Sequence, residues 1–165
     1  MTTNAELIER KIAEVLEATS DFDTLNSIYL GLPYKVPTAN YPYAVVVVDR
    51  ELTDAEATGG RVFRAYEGAF VVAVLQQDLP QVLSGRTKIV PSYAAMRGFV
   101  DAFVRTFKET ANRSLGDLTL SNGRVVDFIV GEDTIEYGWS YAEERADAVN
   151  NFGIVPFRAI AVEVM

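Results

Sequence analysis

Residues 43–50 read Tyr-Ala-Val-Val-Val-Val-Asp-Arg, and residues 61–76 read Arg-Val-Phe-Arg-Ala-Tyr-Glu-Gly-Ala-Phe-Val-Val-Ala-Val-Leu-Gln. These two segments decide the class of the fold. Apolar residues, many of them β-branched, fill both parities of Val45–Val48 and of Ala69–Leu75. A strand with one wet face alternates, whereas a strand covered on both faces does not. The pattern predicts a strand over 43–50 and a longer one over 61–76. Between them, Glu51–Gly60 is polar and acidic and closes on Gly59-Gly60. The pair is expected to form a long antiparallel hairpin, rooted in the core, whose acidic and glycine-rich tip projects outward.

On the N-terminal side, Leu7, Ile8, Ile12, Val15 and Leu16 fall on one helical stripe, which predicts a helix over 5–18. Thr3 and Glu6 have the spacing of a capping box. Glu6, Glu9, Arg10, Glu14 and Glu17 are assigned to its wet side. Residues 20–40 have no period and contain Gly31, Pro33 and Pro37, so they read as a loop. Phe22, Tyr29, Leu30, Leu32 and Tyr34 are expected to pin that loop to the body. Tyr29, Tyr34 and Tyr41 are also candidate subunit-contact residues, because a Tyr ring offers contact area with a polar end. Packing within the chain is the plainer alternative for each.

On the C-terminal side, residues 77–90 hold Pro80 and Gly85 and read as a connector. A second helix is predicted from Pro91 or Ser92 to Asn112, with Ser92 as cap and a stripe of Met96, Phe99, Val100, Phe103, Val104 and Phe107. Strands over 118–121 and 124–130 flank Asn122-Gly123, a pair that favours a left-handed hairpin turn. Ile135, Tyr137, Trp139 and Tyr141 alternate with polar or small residues, predicting a half-buried strand in which Trp139 packs into core or interface. Residues 142–151 are a polar excursion, and 154–164 form the last strand. The order is α-β-β-α-β-β-β-β in a single domain, 1–165. The class is α+β: a mainly antiparallel sheet with a long projecting β-hairpin, packed against two α-helices.

Composition narrows the chemistry. The chain has 165 residues, is 49% hydrophobic, and carries 15 Lys and Arg against 23 Asp and Glu, a net charge of -8. Such a balance is repelled by nucleic acid and anionic membranes, and the basic residues form no run. There is no Cys and no His, which removes thiolate chemistry, disulfides, Cys or His metal ligands and any Ser-His-Asp triad. No phosphate loop or nucleophile elbow motif is present. Asp21 and Asp23 lack the remaining ligands of a calcium loop and read as turn residues. Glu132, Asp133, Glu143, Glu144 and Asp147 read as a solvated acidic rim. Lys11, Lys35, Lys88 and Lys108 read as solvated cations. The expectation is a non-enzyme, with no catalytic, cofactor-binding or metal-binding residues and no cofactor. Apolar runs such as Ala44–Val48 are too short to span a bilayer, and residues 2–19 do not have the pattern of a signal peptide.

This order of elements resembles the tail terminator proteins of long-tailed bacteriophages. An amphipathic helix leads to Tyr41-Pro42-Tyr43-Ala44-Val45-Val46-Val47, then a long hairpin, one sheet-covering helix and further antiparallel strands. The last of these is Phe157-Arg158-Ala159-Ile160-Ala161-Val162-Glu163-Val164. The resemblance covers nearly the whole chain and is one of layout and length. It implies a hexameric ring that caps the tail tube and joins tail to head, a mechanical role without catalysis. The implied partners are copies of the chain, the tail tube protein and head-tail connector proteins. DNA passes through without specific binding, and there is no membrane partner. The implied location is the virion neck, with assembly in the host cytoplasm. The hairpin becomes an arm toward a neighbouring subunit, making Glu51, Asp54, Glu56, Arg61 and Arg64 candidate interface residues. Other neck or tail-completion proteins share this size and ring habit. Outside viruses, the alternatives are a small-ligand-binding or enzyme domain, which requires an apolar pocket with convergent polar groups, or an interaction module using the loop from Tyr29 to Tyr43.

Overall fold

Thr3 starts the first helix, α1 (Asn4–Ala18), by accepting a hydrogen bond from the Glu6 backbone N–H at Oγ1, 3.2 Å away. This is one half of the expected box. Ile8, Ile12 and Leu16 are fully buried, with Leu7 and Val15 packed beside them. Glu9 departs from its assignment to the wet side. It is buried, and its carboxylate accepts from the Val48 backbone N–H at 2.8 Å. A computed structural model describes residues 2–33, 35–58, 61–76, 79–132, 134–141 and 149–164, with the backbone alone at 54–58, 141 and 164.

The main sheet holds six strands. β1 (Ser27–Leu30) runs parallel to β2 (Tyr43–Thr58), which pairs antiparallel with β3 (Arg61–Gln76). β3 pairs along its whole length with β8 (Val149–Val164). β6 (Gly123–Val130) and β7 (Glu136–Tyr141) share the opposite edge of β8, β6 against 157–163 and β7 against 149–154. The hairpin therefore extends with β8 alongside, so its outer half is thicker than two strands. β2 also runs eight residues past Arg50, with register shifts between Val48 and Arg50 and between Thr53 and Ala57.

Two elements arise where no strand was expected. β1 forms inside the loop 20–40, because its backbone groups find the β2 edge although its sequence carries no period. A separate two-stranded ribbon, β4 (Gln81–Ser84) and β5 (Thr87–Ile89), forms inside the connector 77–90. Conversely, the strand expected over 118–121 is reduced to a single bridge, Thr119 with Arg124. The Asn122-Gly123 turn does not use left-handed φ angles; neither residue is among those with positive φ. Gly123 is needed for close approach instead, since a Cβ there would overlap the Val162 carbonyl oxygen.

The second helix, α2 (Pro91–Lys108), begins with Pro in its first turn, but its cap position is Val90 rather than Ser92. It ends four residues before Asn112, and a short 3₁₀ turn covers Thr110–Asn112. Both helices lie on one face of the sheet. Alternation along each strand sends Ala44, Val46, Tyr66, Phe70, Val72, Val155, Phe157, Ala159 and Ala161 to that face, where they pack on the buried stripes of α1 and α2. A chain of rings crosses this core: Phe70 stacks on Phe103 at 4.1 Å, and contacts continue through Phe107, Phe128 and Phe157 at 4.7, 5.1 and 5.3 Å. Offset and tilted ring pairs add stabilisation beyond the area they bury.

Candidate assembly surface

The face of the sheet opposite α1 and α2 carries no helix among the described residues. Burial along β8 alternates without a break from Asn151 to Glu163: odd residues are buried, and even residues are only partly so. The even set is Phe152, Ile154, Pro156, Arg158, Ile160 and Val162. Beside it, β3 presents Phe63, Ala65, Ala69 and Val71, and β2 presents Val47 and Leu52. Phe63 is 41% exposed and Leu52 45%. The continuous apolar pattern of β2 and β3 predicts cover on both faces. That holds near their bases, where both parities of 44–46 and 72–75 are buried, whereas Val47, Ala69 and Val71 further along are only partly covered on the second face.

Charge interrupts this surface at its middle. Glu67 on β3 is held by Arg158 on β8, with Nη2 and Nε at 2.9 and 3.1 Å from Oε1, and by Arg50 on β2, with Nη1 3.6 Å from Oε2. Each strand of the central three contributes one member. These groups are partly hydrated, so their net contribution to stability is small, about 0–1 kcal/mol per pair. Their value lies in fixing the geometry of a shallow cleft of 150 Å³ that Asp49, Gly68, Ile129, Glu132 and Pro156 also line. Asp49 and Glu132 are exposed and make no ion pair or hydrogen bond among the described residues. Gly68 is required here: a Cβ would overlap the Val47 carbonyl oxygen and press on the Phe157 ring at 2.9 Å.

The tyrosines of the loop turn out to be shared between the open face and the β1 edge. Tyr43 meets Tyr29 edge-on at 5.7 Å and Tyr41 at 4.9 Å. Asn40 donates to the Tyr29 hydroxyl at 2.8 Å, and Tyr41, which precedes a cis peptide bond to Pro42, packs on Leu75. Phe22 and Tyr29 therefore pin the loop as expected, whereas Leu30 and Leu32, expected to do the same, are 44% and 78% exposed; Tyr41 on Leu75 covers one end of the open face. Tyr34 lies outside the described residues.

The hairpin candidates sit at the other end. Arg61 and Ala73 are twelve positions apart on β3, which at strand rise is about 40 Å, so the tyrosine set and the hairpin set form no single patch. Glu51 and Arg61 are exposed. Asp54 and Glu56 lie on β2, and their side chains are outside the described residues. Arg64 turns inward. Its Nε is 3.5 Å from Oε2 of Glu163, a carboxylate only 4% exposed, at a distance and angle that make an ion pair without a hydrogen bond. Glu163 also accepts from the Tyr66 hydroxyl at 3.1 Å and from the side-chain amides of Asn122 and Asn4 at 3.4 and 3.5 Å. Asn4 Oδ1 in turn accepts from the Ser121 backbone N–H. This cluster ties the start of α1, the 121–122 turn, β3 and β8 together near the outer end of the sheet.

Displaced acidities are found at Glu9 and Tyr66, both on the covered face. Burial raises the Glu9 carboxyl, opposed by the Val48 N–H and reinforced by the charge of Glu6. Burial likewise raises the Tyr66 hydroxyl, with the Asn4 hydrogen bond opposing and the Glu163 charge reinforcing. Neither group lines the clefts formed by the described residues. No three acidic residues converge as metal ligands among the described residues, and no helix there is long and apolar enough to cross a membrane.

Sequence reasoning missed three surface features. The Arg50–Glu67–Arg158 trio needed strand register, which no local pattern supplies. Trp139, assigned to core or interface, is not in the core: it is 64% exposed, and Tyr137 on the same side of β7 is 39% exposed, so the two form an aromatic surface that alternation alone placed inside. The β4–β5 ribbon did carry a signal, Val-Leu-Ser-Gly-Arg-Thr-Lys-Ile at 82–89, in which a glycine turn separates two short strand-forming runs. Gly85 adopts φ +53°, the left-handed conformation that a tight turn asks for and glycine supplies without strain.

No protein-family model matches the chain, and no curated protein matches it in sequence. Among solved structures, the chain is similar to one in the virion of a native gene transfer agent (GTA) particle. That likeness has a TM-score of 0.50 and 19% sequence identity, and it covers 94% of this chain and 94% of that chain. At such low identity the likeness establishes a common fold.

Proposed function

We propose that this chain is a structural component of a phage-like virion and that it works as a tail terminator: a hexameric ring that caps the tail tube and joins tail to head. The observation that carries the reading is the fold shared, end to end, with a chain of a gene transfer agent virion. The open sheet face supports it, because an apolar surface left uncovered by its own chain is the usual mark of a docking site. On this reading the chain acts through contact with its own copies and with tail tube and connector proteins, and it makes or breaks no covalent bond. DNA passes the ring without being held, in keeping with the net charge of -8.

Electron microscopy of the purified chain, alone and mixed with tail tube protein, tests this. Rings, and tubes that stop growing when the chain is added, are the expected result. A chain that stays monomeric at high concentration and leaves tube length unchanged defeats it.

A further inference from the structure

The β4–β5 ribbon stands apart from the main sheet. All seven of its strand residues are exposed. Val82 and Leu83 are each 66% exposed, Leu79 just before them 84%, and Ile89 38%. An isolated two-stranded ribbon is marginal in water. One that holds apolar side chains out to solvent is stabilised when another surface covers them.

Charge says what kind of surface that is. Residues 79–90 contain Arg86 and Lys88 and no acid, while the other 153 residues carry 13 Lys and Arg against 23 Asp and Glu. The ribbon is a basic, apolar projection on an acidic body, so its complement is a surface that is apolar and acidic. The open sheet face of this chain is apolar, and the cleft at its middle carries three acids, Asp49, Glu67 and Glu132, against Arg50 and Arg158, which are both held by Glu67. The partly exposed apolar rows of the face surround this cleft, rimmed by Asp49 and Glu132, which are exposed and unpaired among the described residues. Register places Val82 opposite Lys88, so an apolar and a cationic group leave the same face of the ribbon together.

We propose that the β4–β5 ribbon is an assembly arm that seats on the open sheet face of a second copy of this chain, with Val82 and Leu83 against its apolar rows and Arg86 and Lys88 toward Asp49 and Glu132. The proposal rests on the ring reading and names the element that makes the contact between neighbours. Such a contact is heterologous, since arm and receiving face are different surfaces, and heterologous contacts close into rings when the rotation between copies allows.

Sedimentation velocity over a range of concentrations tests it, using the whole chain, a Val82→Asp/Leu83→Asp variant, and an Arg86→Glu/Lys88→Glu variant. Circular dichroism and thermal melting should be unchanged in both variants, because these side chains are exposed and make no hydrogen bond or ion pair among the described residues. Self-association should weaken by about tenfold or more in each. Adding Asp49→Lys and Glu132→Lys to the charge-reversed arm should restore part of it. An arm variant that assembles like the parent overturns the arm and leaves the ring reading standing. A parent chain that never associates overturns both. Arm variants that associate normally but lose binding to tail tube protein assign the ribbon to that partner and overturn the proposal.

Discussion

The two faces of this sheet come from the same strands and nearly the same composition, yet they have different fates. On one, Phe70, Tyr66, Val72 and Phe157 are closed under α1 and α2 and are all but excluded from water. On the other, Phe63, Ile160, Val162 and Ile154 stay half wet, and among the described residues the cover is a cluster of tyrosines at one end. Apolar side chains alone do not make a core; they make one where the chain has elements left to cover them. Here both helices are spent on one side. The second face then keeps the apolar character of an interior while remaining available to another molecule.

The largest expected effect separates the faces directly. Phe103→Ala removes the ring stacked on Phe70 and should cost about 3–5 kcal/mol in urea unfolding. A loss below about 1 kcal/mol would mean the covered face is looser than its ring contacts imply. Next is Gly68→Ala, which forces a Cβ into the Val47 carbonyl between two central strands. A cost of about 1–3 kcal/mol is expected from the same measurement. Phe63→Ser, on the open face, should change the stability of the isolated chain by no more than about 0.5 kcal/mol. If it matched Phe103→Ala, the contrast between the faces would collapse.

The smallest effect concerns pH. Burial holds the Glu9 carboxyl above its ordinary value of 4.5 in the folded chain. The folded state therefore binds that proton more tightly than the unfolded one. The stability this group contributes is complete below 4.5 and is lost as pH rises through the raised folded value. Glu9→Gln keeps an oxygen for the Val48 N–H and removes the titration. Compared with the parent, the variant should gain stability steadily as pH is raised from about 4 to about 7. A difference that stays flat across that range would show that Glu9 titrates as it does in the unfolded chain.

Much of the architecture was legible beforehand because it is written in local periodicity. The stripe of α1, the Phe stripe of α2, and the long apolar runs of β2, β3 and β8 each announce themselves within a few turns or pleats. β1 escaped because four residues with no alternation become a strand only when the β2 edge is there to pair them. Glu9 was placed in water because its neighbours in sequence are charged, and the bulge in β2 that brings the Val48 N–H to it lies 39 residues away. Arg64 looked like an outward-facing arm residue for the same reason, since Glu163 is 99 positions distant in the chain.

By itself the sequence determined the class of fold, the two helices, the rooted hairpin and the absence of thiol and imidazole chemistry, since each follows from residue type or short-range spacing. Which face the helices would cover, which charges would meet across β2, β3 and β8, and which apolar ribbon would be left standing in solvent were decided only by the tertiary structure. Those outcomes depend on strand register and on how few elements the chain has to spend, and neither quantity is carried by any local stretch of residues.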